Sequence, residues 1–98
     1  MIQGVVINRM LMPKVREKRK NMVGLKLKEL RELKGWSQRD LAKEFQLIGC
    51  DIDQNVITRT ERGERKVSDK EILAITIVFG ITTAELFENV NLDMIYER

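Results

Sequence analysis

The 98-residue sequence contains no histidine and only one cysteine, Cys50. Because histidine is the commonest general base and the commonest transition-metal ligand in proteins, its absence removes the usual basis for both kinds of site. A lone cysteine can form neither an internal disulfide nor a zinc site built from cysteines, and an unpaired thiol is typical of a reducing compartment. The sequence also lacks a nucleophile motif and a glycine-rich phosphate-binding loop. We therefore expect no enzymatic activity, with no catalytic residues, no cofactor and no bound metal.

Long apolar runs are missing as well. No stretch of the chain approaches the roughly 20 apolar residues that a membrane-spanning helix needs. The short apolar run at residues 5–7 is followed by basic residues instead of being preceded by them, which is unlike a secretory signal. We expect a cytoplasmic protein with no membrane partner, and the chain length leaves room for one domain.

The net charge of +3 is distributed unevenly along the chain. Residues 1–22 carry six basic side chains and one acidic side chain, whereas residues 67–98 carry two basic and six acidic side chains. This asymmetry indicates an amino-terminal half that faces a polyanion and a carboxy-terminal half that faces water or a partner. Residues 1–22 contain Pro13 and no sustained period, so they are interpreted as a flexible basic arm; a solvated tail without a ligand is an equally good interpretation. Met12 and Met22 could each start translation, so the sequence leaves open whether this arm belongs to the native chain.

From residue 23 onward apolar residues recur at helical spacing, and a helical domain is predicted over residues 23–88. Its first helix ends at Gly35, where a left-handed conformation costs glycine least. The second helix begins at Ser37, which with Asp40 forms a near capping-box arrangement. The apolar face of this second helix consists of Leu41, Ala42 and Phe45.

Three further helices are predicted after a loop at residues 46–52, which breaks the apolar pattern. The third helix is capped by Asp53 and closed by Gly63, and the fourth is capped by Ser68 or Asp69. The core face of the fourth helix consists of Ile72, Ile75 and Phe79. The short fifth helix starts at Thr82 or Thr83 and carries Leu86 and Phe87. No strand pairing is convincing, so the predicted fold is all-α, followed by a tail at residues 89–98 that is interpreted as a dimer or partner contact.

The third predicted helix has a polar outer face. Its members are Gln54, Asn55, Thr58, Arg59 and Arg62. Amide side chains can pair bidentately with adenine, and guanidinium groups with guanine, along the base edges of the major groove. Amides placed one turn ahead of a guanidinium are the arrangement that a recognition helix presents to DNA. A generic solvated helix face is the alternative interpretation of the same residues.

Four ordered blocks of sequence favour the DNA-binding interpretation. They are residues 27–31 (LKELR), 35–42 (GWSQRDLA), 57–65 (ITRTERGER) and 79–87 (FGITTAELF). Together they resemble the Cro/repressor-type helix-turn-helix family, often called the XRE family. The resemblance runs from residue 25 to residue 87, and it implies a compact λ-repressor-like bundle of five helices.

The resemblance also implies roles for individual residues. Gln38, at the start of the second helix, would bind a phosphate with help from the helix dipole. Base edges would be contacted by Gln54, Asn55, Thr58 and Arg59. Phosphates beyond the recognition helix would be contacted by Arg62, Arg65 and Lys66. Arg31 and Glu61 would form a partly buried ion pair between the first and third helices, with two independent surface charges as the alternative.

The predicted loop is a departure from the family pattern. Family members usually join the second and third helices by a tight turn of three or four residues, whereas residues 46–52 add about five. Such a loop is compatible with the fold, but it bears on the angle at which the recognition helix meets DNA. Asp51 and Asp53 would repel phosphates unless they cap the helix, which we expect of Asp53.

The sequence thus predicts a sequence-specific DNA-binding transcriptional regulator, with repression as its expected action and double-stranded DNA as its partner. We expect a homodimer, since a single module makes only a small interface with DNA. Leu73, Ile77 and Val78 cannot all face inward, so exposed apolar area there is the candidate dimer surface. The alternative is an antitoxin or another protein-interaction module with the same fold, whose acidic tail between Glu85 and Glu97 contacts a small protein partner. Co-purification of a small basic protein would favour that alternative.

Overall fold

The computed structural model describes residues 19–88, and this part of the chain contains five α-helices and no β-strand. In chain order the helices are α1 (Gly24–Leu33), α2 (Gln38–Leu47), α3 (Gln54–Glu61), α4 (Asp69–Phe79) and α5 (Thr83–Leu86). The predicted all-α bundle of five helices is confirmed. None of these five helices is long and apolar enough to cross a membrane. The remainder of the predicted arm and the tail after residue 88 lie outside the described residues.

Side-chain caps that the sequence encodes locally start α2, α3, α4 and α5. At α2, the Ser37 hydroxyl accepts a hydrogen bond from the Asp40 N–H (3.0 Å), and the Asp40 carboxylate accepts one from the Ser37 N–H (2.9 Å). At α3, the Asp53 carboxylate accepts a backbone N–H of the first turn. The predicted caps of α2 and α3 are therefore confirmed, and the two starts left open are capped by Ser68 and Thr82.

The second helix continues two residues beyond its predicted end. Its apolar periodicity stops at Phe45, but α2 runs to Leu47, whose side chain is 78% exposed. Gly49, with φ of +83°, then allows two backbone hydrogen bonds of 2.9 Å back to the last turn. This is the Schellman motif, which places a left-handed residue after a helix. The connection to α3 is therefore residues 48–53 instead of 46–52, since backbone hydrogen bonding does not require an apolar side chain.

The hydrophobic core takes apolar side chains from every helix and from the long connection. Its buried members are Val23, Leu27, Leu41, Ala42, Phe45, Ile52, Ile57, Ala74, Ile75, Phe79 and Leu86. Ala42 belongs to α2, the helix that packs most extensively against α3, and its small side chain is buried in the core. Ile52 is 6% exposed and fixes the connection between α2 and α3 to the core just before α3 begins. The longer loop is thus anchored at its carboxy-terminal end.

The fourth helix divides its apolar residues between the core and solvent. Its predicted core face is buried or half-buried: Ile72, Ile75 and Phe79. On the other side Leu73 is 61% exposed, Ile77 is 55% exposed and Val78 is half-buried. The prediction that apolar area on α4 stays exposed is confirmed.

Part of the predicted arm packs against the helices. Asn21 is 5% exposed, and its Oδ1 atom accepts a hydrogen bond from the Gly24 N–H (2.8 Å). A side chain that bonds the N–H three residues ahead has the spacing of a helix cap. The Lys20 N–H also donates to the Gly63 carbonyl oxygen (2.8 Å). Residues 19–22 therefore lie against the carboxy-terminal end of α3, so packing begins earlier than the predicted boundary after residue 22.

Candidate nucleic-acid interface

The third helix has two faces of opposite character. One face is buried against the rest of the protein and consists of Ile57, Thr60 and Glu61. The other face is exposed and consists of Gln54, Asn55, Arg59 and, at the C-cap, Arg62. Their spacing along a helix of 3.6 residues per turn places them on one side. Thr58 falls between Gln54 and Arg62 around the helix, but it is half-buried and its hydroxyl lies 2.7 Å from Gln38 Oε1.

The exposed side chains of α3 are available to a ligand. Within the described residues, no side-chain hydrogen bond or ion pair holds Gln54, Asn55 or Arg59. Arg62 Nη1 lies 3.9 Å from Glu64 Oε2, with the two side chains 67% and 49% exposed. Such an exposed ion pair is screened by water and stabilises little. The guanidinium of Arg62 is therefore also free to contact a stronger anion.

The buried face of α3 is tied to α1 by a two-point ion pair. Arg31 Nε lies 2.7 Å from Glu61 Oε2, and Arg31 Nη2 lies 3.0 Å from Glu61 Oε1. Both residues are buried, and Arg31 Nη1 donates a further hydrogen bond to the Trp36 carbonyl oxygen (2.8 Å). The hydrogen bond to Glu61 raises the pKa of Arg31. The pair sits between α1 and α3, as the resemblance implies, and its bidentate geometry fixes orientation as well as distance.

Gln38 connects α2 to α3 through both atoms of its amide. Its Nε2 atom donates to Glu61 Oε1 (2.9 Å), and its Oε1 atom lies 2.7 Å from the Thr58 hydroxyl. That hydroxyl is also 2.9 Å from the Gln54 carbonyl oxygen, so its single proton is shared between two acceptors. The structure thus places Gln38 and Thr58 in a hydrogen-bond chain inside the protein. One amide hydrogen of Gln38 is left for the phosphate contact that the resemblance implies.

Arg65, which follows α3 in the chain, is engaged within the protein. Its guanidinium forms an ion pair with Glu71 (Nη2–Oε2, 2.9 Å) and donates to the Thr60 hydroxyl (3.0 Å). Glu71 is already ordered because its carboxylate accepts the Ser68 N–H at the start of α4 (2.9 Å). Pairing with a group that is already held costs less conformational entropy, so the internal site competes well with solvent for Arg65. The structure does not bring Arg65 to the exposed face of α3, whereas Lys66 next to it is exposed.

Two further residues at the end of α3 were not among the predicted site residues. Arg19 Nη2 donates to the Glu61 carbonyl oxygen (3.0 Å), and Asn21 Nδ2 donates to the carbonyl oxygens of Thr60 (3.1 Å) and Arg65 (2.8 Å). The cap spacing between Asn21 and α1 is a local signal that could have indicated Asn21. The carbonyl oxygens of α3 that Arg19 contacts lie about forty residues away in sequence, so no local pattern indicates these contacts.

The arrangement of α2 and α3 defines a class of protein. Two short helices packed closely together, α2 and α3, with a solvent-exposed polar face on the second, form a helix-turn-helix unit inside a five-helix bundle. The family model HTH_3, described as Helix-turn-helix, matches residues 27–86. The chain therefore belongs to this XRE-type helix-turn-helix family, which supports a DNA-binding regulator with DNA as its partner. No curated protein and no solved structure gives a significant match to the chain.

Proposed function

We propose that the protein is a sequence-specific transcriptional regulator that inserts α3 into the major groove of double-stranded DNA and acts as a repressor. The observation that carries this proposal is the exposed row of Gln54, Asn55 and Arg59. No other group within the described residues forms a hydrogen bond or an ion pair with their side chains. Because these polar side chains form no hydrogen bond within the described part of the protein, none has to be broken there when they bind a base edge. The same helix is held firmly from behind through Glu61.

The order of side chains along α3 suits base recognition. Gln54 and Asn55 stand at the amino-terminal turn, where amides can pair with adenine, and Arg59 follows one turn later, where a guanidinium can pair with guanine. Thr58 reaches the same side with a hydroxyl oxygen that still has acceptor capacity. Asp53 is engaged in capping, which supports its expected role and reduces its repulsion of a phosphate.

Phosphate contacts have two candidates with exposed cationic groups, Arg62 and Lys66. Gln38 contributes its remaining amide hydrogen at the positive end of α2. Arg65 can reach a phosphate only after leaving Glu71 and Thr60. We therefore expect Arg65 to affect binding chiefly through the order of the segment after α3.

A homodimer formed through α4 completes the proposal. Leu73 and Ile77 are four residues apart, lie on the same side of α4 and are both more than half exposed. Burying them against a second copy would remove apolar area from water and would supply two recognition helices to one site. The same exposed pair also suits a protein partner, which is the antitoxin or interaction-module alternative.

Selection of bound duplexes from a random pool tests the proposed function. Enrichment of a short site, with inverted half-sites if the protein is a dimer, is the expected result. A promoter that overlaps the selected site should then lose expression when the protein is supplied. Absence of any enriched duplex, together with a small protein that remains bound through purification, would reject DNA recognition in favour of the interaction module.

A further inference from the structure

The carboxy-terminal end of α3 is bound by residues that precede α1. Arg19 Nη2 lies 3.0 Å from the Glu61 carbonyl oxygen and 3.4 Å from that of Thr60. Carbonyl groups in the last turn of a helix lack partners within the helix and form its negative end. A guanidinium at this place satisfies those carbonyls and is attracted by the helix dipole.

Asn21 connects three parts of the chain at the same junction. Its Oδ1 atom accepts the Gly24 N–H at the start of α1 (2.8 Å). Its Nδ2 atom donates to the Thr60 carbonyl oxygen in α3 (3.1 Å) and to the Arg65 carbonyl oxygen beyond it (2.8 Å). Both amide hydrogens and the amide oxygen are used, and the residue is 5% exposed. One side chain therefore fixes the start of α1, the end of α3 and the segment that leads to Lys66.

Two glycines, Gly24 and Gly63, allow the Arg19 side chain to approach the backbone closely at this junction. A Cβ atom at Gly24 would overlap the Thr60 carbonyl oxygen and would lie 2.6 Å from Arg19 Nη2. A Cβ atom at Gly63 would lie 2.7 Å from Arg19 Cζ. The Lys20 N–H adds a backbone hydrogen bond to the Gly63 carbonyl oxygen (2.8 Å). The backbone on both sides is thus shaped to receive the Arg19 side chain.

We infer that Arg19 and Asn21 are positioning residues for DNA binding, which lock the end of α3 and so set how Arg59, Arg62 and Lys66 are presented to DNA. The inference rests on the proposed function of α3. Arg62 is the C-cap of α3, and Lys66 follows the residue whose carbonyl Asn21 holds. If Arg62 or Lys66 shifts relative to Arg59, it cannot contact a phosphate while Arg59 contacts a base. Specific binding needs both kinds of contact at once, whereas non-specific binding needs only the charges.

Arg19 has a role distinct from that of an ordinary basic residue in an arm. Its guanidinium donates to backbone carbonyls, and burial lowers the pKa of the group. A phosphate contact would require it to abandon the end of α3. Loss of Arg19 should therefore leave the salt dependence of binding unchanged, whereas loss of one phosphate contact reduces the logarithmic salt slope by about 0.9.

The test compares Arg19→Met, Asn21→Asp and the control Lys20→Ala in the full chain. Lys20→Ala removes one charge from the same segment but keeps the backbone hydrogen bond to Gly63. Asn21→Asp keeps the acceptor for the Gly24 N–H and removes the donors to α3. Affinities for the selected duplex and for a scrambled duplex are measured over a range of salt concentrations. The measurements are made well below the unfolding temperature of each variant, and the active fraction of each protein is determined by titration.

Arg19→Met and Asn21→Asp should weaken the selected duplex about tenfold, the change that corresponds to roughly 1.4 kcal/mol, and should weaken the scrambled duplex less. Lys20→Ala should keep the ratio of the two affinities. Equal losses on both duplexes with a reduced salt slope in Arg19→Met would show a phosphate contact and overturn the inference. An unchanged ratio in both variants would overturn it as well.

A second measurement needs no DNA. Hydrogen exchange of the Lys20 and Gly24 amides in the free protein reports on the junction, because both amides donate within it. Exchange at Lys20 should accelerate in Asn21→Asp, because this variant loses the donors to α3. The Gly24 amide, whose acceptor is kept, and the amides in the middle of α4 should stay protected. Should the wild-type chain prefer no duplex, the proposed function fails. Unchanged exchange at Lys20 would show that Asn21 does not hold the end of α3, and it would overturn the inference.

Discussion

The third and fourth helices are held in place by different kinds of force. α3 is fixed from behind by directional polar contacts: the Arg31–Glu61 ion pair, the amide of Gln38 and the donors of Asn21. α4 is fixed mainly by apolar packing and shows apolar side chains to solvent. Directional contacts define an angle as well as a distance, whereas apolar packing tolerates small rotations. The helix that needs an accurate orientation is thus the one with the polar network.

The largest expected effect comes from breaking the polar network on its own. Arg31→Met leaves the Glu61 carboxylate buried without its cation, and the free energy of unfolding should fall by about 3–5 kcal/mol. As a comparison within the apolar region, Ile75→Val removes one buried methylene and should cost about 0.5–1.5 kcal/mol. Urea unfolding of both variants measures the difference. Equal costs for the two variants would mean that α3 is not held chiefly through Glu61.

The exposed face of α3 should show the next effect. Arg59→Ala should relax the preference for one base by about 1–3 kcal/mol, because a bidentate contact to a base edge is lost. Lys66→Ala is the matched control, since it removes the same charge and should weaken every duplex alike. Competition binding with duplexes that carry single base changes measures both. If Arg59→Ala weakens all duplexes equally, Arg59 contacts phosphate and the orientation proposed for α3 is wrong.

The exposed face of α4 should affect association and hardly affect folding. Leu73→Glu combined with Ile77→Glu should change the free energy of unfolding of the monomer by no more than about 0.5 kcal/mol each, since both side chains are more than half exposed. The double variant should sediment as a monomer at micromolar concentration, where the wild-type chain should sediment as a dimer. Lys70→Glu, an exposed change on the same helix, serves as the control for added negative charge. A wild-type chain that is monomeric with and without DNA would contradict the dimer.

The smallest effect concerns a cap at the surface. The backbone hydrogen bond from Ser37, followed by the contact with its hydroxyl, lowers the pKa of Asp40. The ionised form is favoured in the folded protein, so its contribution is present above the pKa of the unfolded chain and is lost as the pH falls through the lowered folded pKa. Asp40→Asn should therefore show a shallower loss of thermal stability in acid than the wild-type chain. An Asp40 that titrates near the ordinary value of about 3.9 by NMR would refute the explanation.

Local patterns predicted the helices well and their ends less well. Ser37 and Asp53 are recognisable because a cap bonds a backbone N–H only three residues ahead. The end of α2 was predicted too early because the exposed side chain of Leu47 does not continue the apolar stripe, although the backbone hydrogen bonds do continue. The hydrogen bond from the Gly24 N–H to Asn21 spans three residues, as the caps of the other helices do, and it was missed because Asn21 lies in a segment interpreted as an arm.

The sequence by itself determined the helices, their caps, the polar row on α3 and the family to which the chain belongs, because each of these depends on residues close together or in fixed order. Only the tertiary structure decided how the charged and amide groups are shared. The identity of Gln38 or Arg65 does not tell whether its side chain faces DNA or the protein. Their partners, Glu61 and Glu71, are brought to them by the packing of α2, α3 and α4. The same holds for Arg19, whose bonds to α3 form only when distant parts of the chain come together.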